Sequence, residues 1–216
     1  MDTDFARRQM VGQQVRAWDV FDPAVLGVLT TVSRDQFVPP EYRDLAFADT
    51  EIPLANGQKM MTPTVEGRLL QALSLTAGDR VLEIGTGSAY LTACLAKLAA
   101  SVVSIDIFDQ FVSEAGRKLR EAGIDNVELD CMDACANLPD GEFDAIAVTG
   151  SLVRFDDRFV EKLKSGGRLF VIVGESPVQE ARIVARSNET DWESTTLFET
   201  DLAPLINSTR PPQFRF

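Results

Sequence analysis

From residue 77 onward the chain alternates between short apolar runs and stretches with helical spacing. The runs at 80–84, 101–106, 126–130, 143–149 and 167–173 predict strands, and 89–98, 109–122 and 155–164 predict helices between most of them. Strand–helix alternation implies parallel pairing and a doubly wound α/β sheet with helices on both faces. The last two runs, 180–186 and 192–200, have too little chain between them for a crossover helix. They predict an antiparallel pair that closes a seven-stranded, mostly parallel sheet. Residues 4–50 instead carry helical spacing throughout, with Phe5, Met10, Val15, Val25, Leu26, Val28 and Leu29 as its apolar positions. Asp22-Pro23 reads as an N-cap and first helical residue. The turn Val38-Pro39-Pro40 precedes a short helix at 42–47, and the turn Ala55-Asn56-Gly57-Gln58 precedes a helix at 64–73.

Composition narrows the classes. The chain has 216 residues, 45% hydrophobic and 25% charged, as expected of a globular protein with a substantial core. No apolar run reaches the roughly 18 residues of a membrane span. The start, with Asp2, Asp4, Arg7 and Arg8, does not resemble a secretory signal. Three cysteines, Cys94, Cys131 and Cys135, suit a reducing cytoplasm, and without histidine they cannot readily complete a zinc site, so no metal is expected. A net charge of −12 and a pI near 4.5 argue against a nucleic-acid partner.

The chemistry concentrates at Val81-Leu82-Glu83-Ile84-Gly85-Thr86-Gly87-Ser88-Ala89, followed by Asp106 at the end of the next strand. Glycines at 85 and 87 let the backbone turn tightly and approach a ligand, and the amides that open the next helix are expected to face an anionic group. Asp106 would offer a carboxylate to the two hydroxyls of a ribose. Ligands in such sheets lie at the carboxyl ends of the strands, where Gly85, Asp106, Asp133 and Thr149 would gather. A dinucleotide fingerprint would require a glycine at the sixth position, where this chain has Tyr90, so an NAD-dependent oxidoreductase is the weaker reading.

The loop resembles motif I of the Rossmann-like methyltransferases, Glu-x-Gly-x-Gly-x-Gly, with Ala89 in place of the last glycine. Further segments follow in the order of a class I methyltransferase that uses S-adenosyl-L-methionine (SAM): Asp133-Ala134, Phe143-Asp144-Ala145-Ile146 and the turn at Gly166-Gly167. More narrowly, Arg34-Asp-Gln-Phe37-Val38-Pro39, Tyr42-Arg43-Asp44-Leu45-Ala46, Gly57-Gln58 and the stretch from Asp79 to Ser88 resemble the protein-L-isoaspartate O-methyltransferase family. This resemblance runs from about Met10 to Gly174 and fades after Glu175.

The resemblance implies an N-terminal helical subdomain with a substrate loop over 1–76 and a SAM-binding domain over 77–216, forming one compact unit. It implies SAM as cofactor and S-adenosyl-L-homocysteine as product. Glu83, Gly85, Thr86 and Gly87 would line the cofactor, Asp106 with Ile107 would meet the ribose, Asp133 with Ala134 the adenine, and Thr149 would lie near the methyl. Asp144 reads as a structural acid. Gln58, Met60 and Met61 fall in the substrate loop, where the family's active-site serine aligns with Met61. Thr62, one residue later, is the candidate catalytic hydroxyl.

A chain without histidine lacks the usual neutral-pH base, and a carboxylate acceptor needs none because it is already ionised. The composition thus suits O-methylation of a carboxylate, while a desolvated Asp or Glu could serve as base for another acceptor; the resemblance implies an isoaspartyl protein or peptide as in protein repair, or a small carboxylate, as the acceptor. Met61 keeps two alternatives open, a different small-molecule acceptor and a catalytically silent SAM-binding regulator. A monomer or a homodimer is expected. The polar tail at 207–216 could fold over the cofactor or pack on a second copy of the chain.

Overall fold

The computed structural model of the chain describes residues 3–208. Helix α1 (Thr3–Gln9) widens into a π-helical turn over Met10–Val15 and tightens again over Arg16–Trp18. Helix α2 (Pro23–Thr31) starts where Asp22 Oδ1 accepts from the amides of Ala24 at 2.7 Å and Val25 at 3.4 Å. The helix expected at 42–47 is instead a 3-10 turn over Pro40–Leu45, begun two residues earlier by the fixed φ of Pro40. Strands β1 (Ile52–Pro53) and β2 (Lys59–Met60) pair antiparallel, and helix α3 (Pro63–Leu73) follows.

The remaining elements are β3 (Arg80–Ile84), α4 (Tyr90–Leu98), β4 (Ser101–Asp106), α5 (Asp109–Glu121), β5 (Val127–Cys131), β6 (Phe143–Leu152), α6 (Arg158–Glu161), β7 (Leu163–Glu175), β8 (Val178–Arg186) and β9 (Trp192–Thr200). The sheet order is β5-β4-β3-β6-β7-β8-β9. Its first five strands are parallel, and β8 runs antiparallel to both β7 and β9, as the spacing predicted. One helix is corrected: the span 155–164 yields only the single turn α6. Leu163 already belongs to the ladder, paired with Phe143, so the chain must leave the helix before it.

Alternation along β3 places Val81 in one buried cluster and Leu82 and Ile84 in another, on opposite faces of the sheet. Val81 belongs to the same buried cluster as Leu29, Leu69, Leu73, Tyr90 and Leu95, so the N-terminal helices share a core with the sheet. By the same alternation Glu83 points with Val81 towards α4. A carboxylate is thereby driven into a layer of mainly apolar side chains.

Candidate active site

The strand order reverses between β3 and β6, and a crevice opens there at the carboxyl ends of the strands. The loop after β3 is fastened to β4, since Gly85 N donates to Ile105 O at 2.8 Å. Gly85 has φ 99°, and a Cβ at this position would overlap Thr149 Oγ1. The Thr149 hydroxyl donates to Ile84 O at 2.9 Å and Gly85 O at 2.8 Å, so it holds the loop against β6. Gly87, with φ 48°, donates its amide to Asp106 Oδ2 at 2.9 Å, while Phe108 N donates to Oδ1 at 3.0 Å. Ser88 Oγ accepts from Tyr90 N at 3.2 Å. The amides of Gly87 and Tyr90, at the start of the loop-to-helix turn, therefore already have partners within the protein.

Glu83 is fully buried. Its Oε2 accepts from Thr92 Oγ1 at 2.5 Å and Ser104 Oγ at 2.6 Å, and Thr86 Oγ1 lies 2.7 Å from the same serine oxygen. Its Oε1 has no hydrogen-bond partner among the described residues, although the residue lines the cleft. Burial pushes the Glu83 carboxyl up to about 8, against the two hydroxyl donors that favour its charged form. Burial also raises Asp106 above the ordinary carboxylate range, opposed by the backbone amides it accepts from.

The raised pKa of Glu83 has a sign that can be measured. The folded state holds a proton that the unfolded chain releases near 4.5, so the stabilisation is complete below that pH and is lost as pH rises through about 8. Glu83→Gln is expected to narrow the difference in melting temperature between pH 6 and pH 9. An unchanged difference would show that this carboxyl titrates normally.

The cleft is lined by all nine expected cofactor residues, Glu83, Gly85, Thr86, Gly87, Asp106, Ile107, Asp133, Ala134 and Thr149, and by Gln58, Met60 and Met61 of the loop. Asp133 Oδ1 accepts from Cys135 N at 2.9 Å. Asp144 sits apart, accepting from Arg80 N and Lys164 Nζ, both at 2.8 Å, in the structural role expected of it. Thr62 is also placed apart: its oxygen caps α3 by accepting from Val65 N at 3.4 Å, lies 2.9 Å from Thr64 Oγ1, and is not part of the cleft wall. The candidate catalytic hydroxyl thus lies outside the residues that line the cleft, with its oxygen engaged at the N-cap of α3.

Two features of the cleft were not foreseen. Glu66 of α3 lines it and is paired in the core with Arg34, Nη1 to Oε2 at 2.5 Å. Arg34 also donates to Met61 O at 2.6 Å and Ala46 O at 2.9 Å, so it anchors the loop that carries Met61. In sequence Glu66 reads only as an acid in the first turn of a helix, and nothing local marks its partner 32 residues away. The second feature is the segment after β9, of which Leu202 to Ile206 form one wall.

The residues present fit SAM. The glycine loop allows close backbone approach, Asp106 retains acceptor capacity for ribose hydroxyls, and the orphaned Glu83 Oε1, once its carboxyl is ionised, offers an acceptor to a cationic donor. Apolar Ile107, Phe111, Met132 and Ala134 supply walls for a purine.

Residues 6–210 match the model of the family described as protein-L-isoaspartate(D-aspartate) O-methyltransferase. The resemblance expected to fade after Glu175 thus continues through β8 and β9. Protein-L-isoaspartate O-methyltransferase 1 of Anaeromyxobacter sp. (strain Fw109-5) is 38% identical over 201 residues, 92% of this chain and 95% of that protein. Protein-L-isoaspartate O-methyltransferase 1 of Rhodopseudomonas palustris (strain HaA2) is 35% identical over 208 residues, 94% of this chain and 85% of that one. A Plasmodium falciparum structure, described as a protein of this kind in complex with S-adenosyl-L-homocysteine, shares the fold with a TM-score of 0.79 at 20% identity, covering 92% of this chain and 97% of its own. The family model spans nearly the whole chain and the relatives exceed 30% identity over more than nine-tenths of it, so the chain belongs to the protein-L-isoaspartate(D-aspartate) O-methyltransferase family.

Proposed function

We propose that this chain is a SAM-dependent O-methyltransferase that esterifies the side-chain carboxylate of isoaspartyl residues in proteins or peptides. The observation that carries the reading is a family match over 6–210 in a chain whose glycine loop, Asp106 and buried Glu83 converge on one cleft. SAM, when bound, supplies an electrophilic methyl group on a sulfonium. The chain contributes position: Asp106 accepts from the ribose, Glu83 Oε1 accepts from a cationic donor that draws the proton off its carboxyl, and Asp133 accepts from the adenine amino group. The acceptor carboxylate, ionised at neutral pH, requires orientation against the methyl rather than a base. A net charge of −12 favours peptides or small molecules over nucleic acid as partners. Three free thiols suit a reducing cytoplasm.

The test is transfer of labelled methyl from SAM to an isoaspartyl peptide beside its aspartyl counterpart. Transfer to the first and not the second is expected. SAM binding without transfer to a panel of isoaspartyl peptides would overturn the acceptor. A second reading, a small carboxylate acceptor, is favoured by Met60 and Met61 at the loop, whose adaptable thioethers suit an apolar ligand. Thr62, as a cap, has a separable role. Thr62→Val is expected to lower unfolding free energy by about 1 kcal/mol and leave kcat within twofold; a kcat loss of roughly a hundredfold would return that hydroxyl to the reaction.

A further inference from the structure

The segment after β9 is fastened at its root by buried polar groups. Ser151 Oγ donates to Leu202 O at 2.8 Å, and Gln179, 2% exposed, donates to the same oxygen at 3.0 Å and accepts from Leu202 N at 2.8 Å. Ser151 N donates to Ala203 O and Leu205 N to Ser151 O, both at 2.9 Å, so the segment runs along the end of β6. Leu205 occupies the space above Gly150, where a Cβ would meet its Cδ2 at 2.7 Å. This strap brings Asn207 to the far side of the cleft. Asn207 adopts φ 65°, the left-handed region that asparagine tolerates better than most residues, and its Nδ2 donates to Asp133 Oδ2 at 2.9 Å.

We infer that Asn207 is a positioning residue for the purine end of the cofactor, acting through Asp133. The inference rests on the SAM reading proposed above. Cys135 N holds one oxygen of Asp133 and Asn207 holds the other, so the carboxylate plane is set from both sides. Each bond occupies one acceptor direction, and a carboxylate has about four, which leaves Asp133 able to accept from a 6-amino group. An ionised carboxylate only accepts, which requires the Asn207 amide to present its nitrogen. The two residues lie 74 positions apart, and the root contacts at Gln179 and Ser151 keep the strap in place independently of Asn207.

Asn207→Gly deletes the amide and keeps a backbone that adopts positive φ without strain. Its test is calorimetric titration with S-adenosyl-L-homocysteine and with S-inosyl-L-homocysteine, in which an oxygen replaces the 6-amino group. The variant is expected to bind the adenosyl ligand about five- to tenfold more weakly and the inosyl ligand within twofold of the unmodified chain, so selectivity collapses. Asn207→Asp places a second carboxylate against Asp133 and is expected to weaken the adenosyl ligand further. Equal weakening of both ligands in Asn207→Gly would make the contact merely structural and overturn the assignment, as would unchanged affinity for both. An unmodified chain that binds neither ligand would overturn the cofactor reading itself, and the assignment with it.

Discussion

Gly85→Ala is expected to lower affinity for S-adenosyl-L-homocysteine by about a hundredfold or more. Two costs coincide at this residue. Its φ of 99° lies where side-chain-bearing residues are strained, and the added Cβ would overlap Thr149 Oγ1. Thr149 cannot simply turn away, because its hydroxyl is held by the carbonyls of Ile84 and Gly85. Strain and overpacking together amount to roughly 2–5 kcal/mol, which the loop relieves by shifting away from Asp106 and the cleft. A shift of that loop removes the Gly87 amide from Asp106 and moves the wall that the cofactor would meet. Gly12→Ala is the control, since a Cβ there meets nothing within 4 Å. Calorimetry on both variants decides the matter: retention of affinity in Gly85→Ala would mean that no ligand approaches this turn closely.

Arg34→Met is expected to lower the unfolding free energy by about 3–5 kcal/mol, because it leaves Glu66 as an uncompensated buried carboxyl. The guanidinium is fully buried, bonds Glu66, Met61 O and Ala46 O, and stacks over the Tyr90 ring with its carbon 5.0 Å from the centroid. Burial already pushes Glu66 up to about 8 even with Arg34 pulling it down. Without Arg34 that carboxyl takes up a proton more readily, so the loss is expected to be larger at pH 9 than at pH 6. The double variant Arg34→Met, Glu66→Met should regain much of the stability, since an apolar pair avoids the desolvation of two charges. Urea unfolding of the unmodified chain and the two variants is the measurement. A single-variant loss below about 1 kcal/mol would place the pair in an environment far more polar than its burial implies.

Strands β3, β4 and β6 were legible because they are buried along nearly their whole length and so read as almost unbroken apolar runs. Strands β3 and β4 have the bounds their hydrophobic runs predicted, and β5 lies one residue later than expected. The helix at 155–164 was misread because Phe159, Val160 and Leu163 are spaced as a helix would space them. In the fold Leu163 is claimed by Phe143 across the sheet, a pairing 20 residues away that no local pattern encodes. The same limit governs the cleft. Gly85, Gly87, Glu83 and Asp106 sit in adjacent elements and announce themselves by spacing. The Arg34–Glu66 pair and the Asn207–Asp133 contact join residues 32 and 74 positions apart, and each partner alone resembles an ordinary surface residue. The cap role of Thr62 was legible locally, since a threonine directly before proline is a strong N-cap. The end of the tail, from Thr209 to Phe216, lies outside the described residues.

The central claim is that the cleft between β3 and β6 holds SAM, with Asp106 on the ribose. Calorimetric titration of S-adenosyl-L-homocysteine into the unmodified chain and into Asp106→Ala tests it most directly. The account predicts saturable binding at one site per chain, weakened at least about tenfold in the variant, since a charged acceptor for two hydroxyls is removed. Absence of saturable binding to the unmodified chain, or equal affinity in Asp106→Ala, would contradict it.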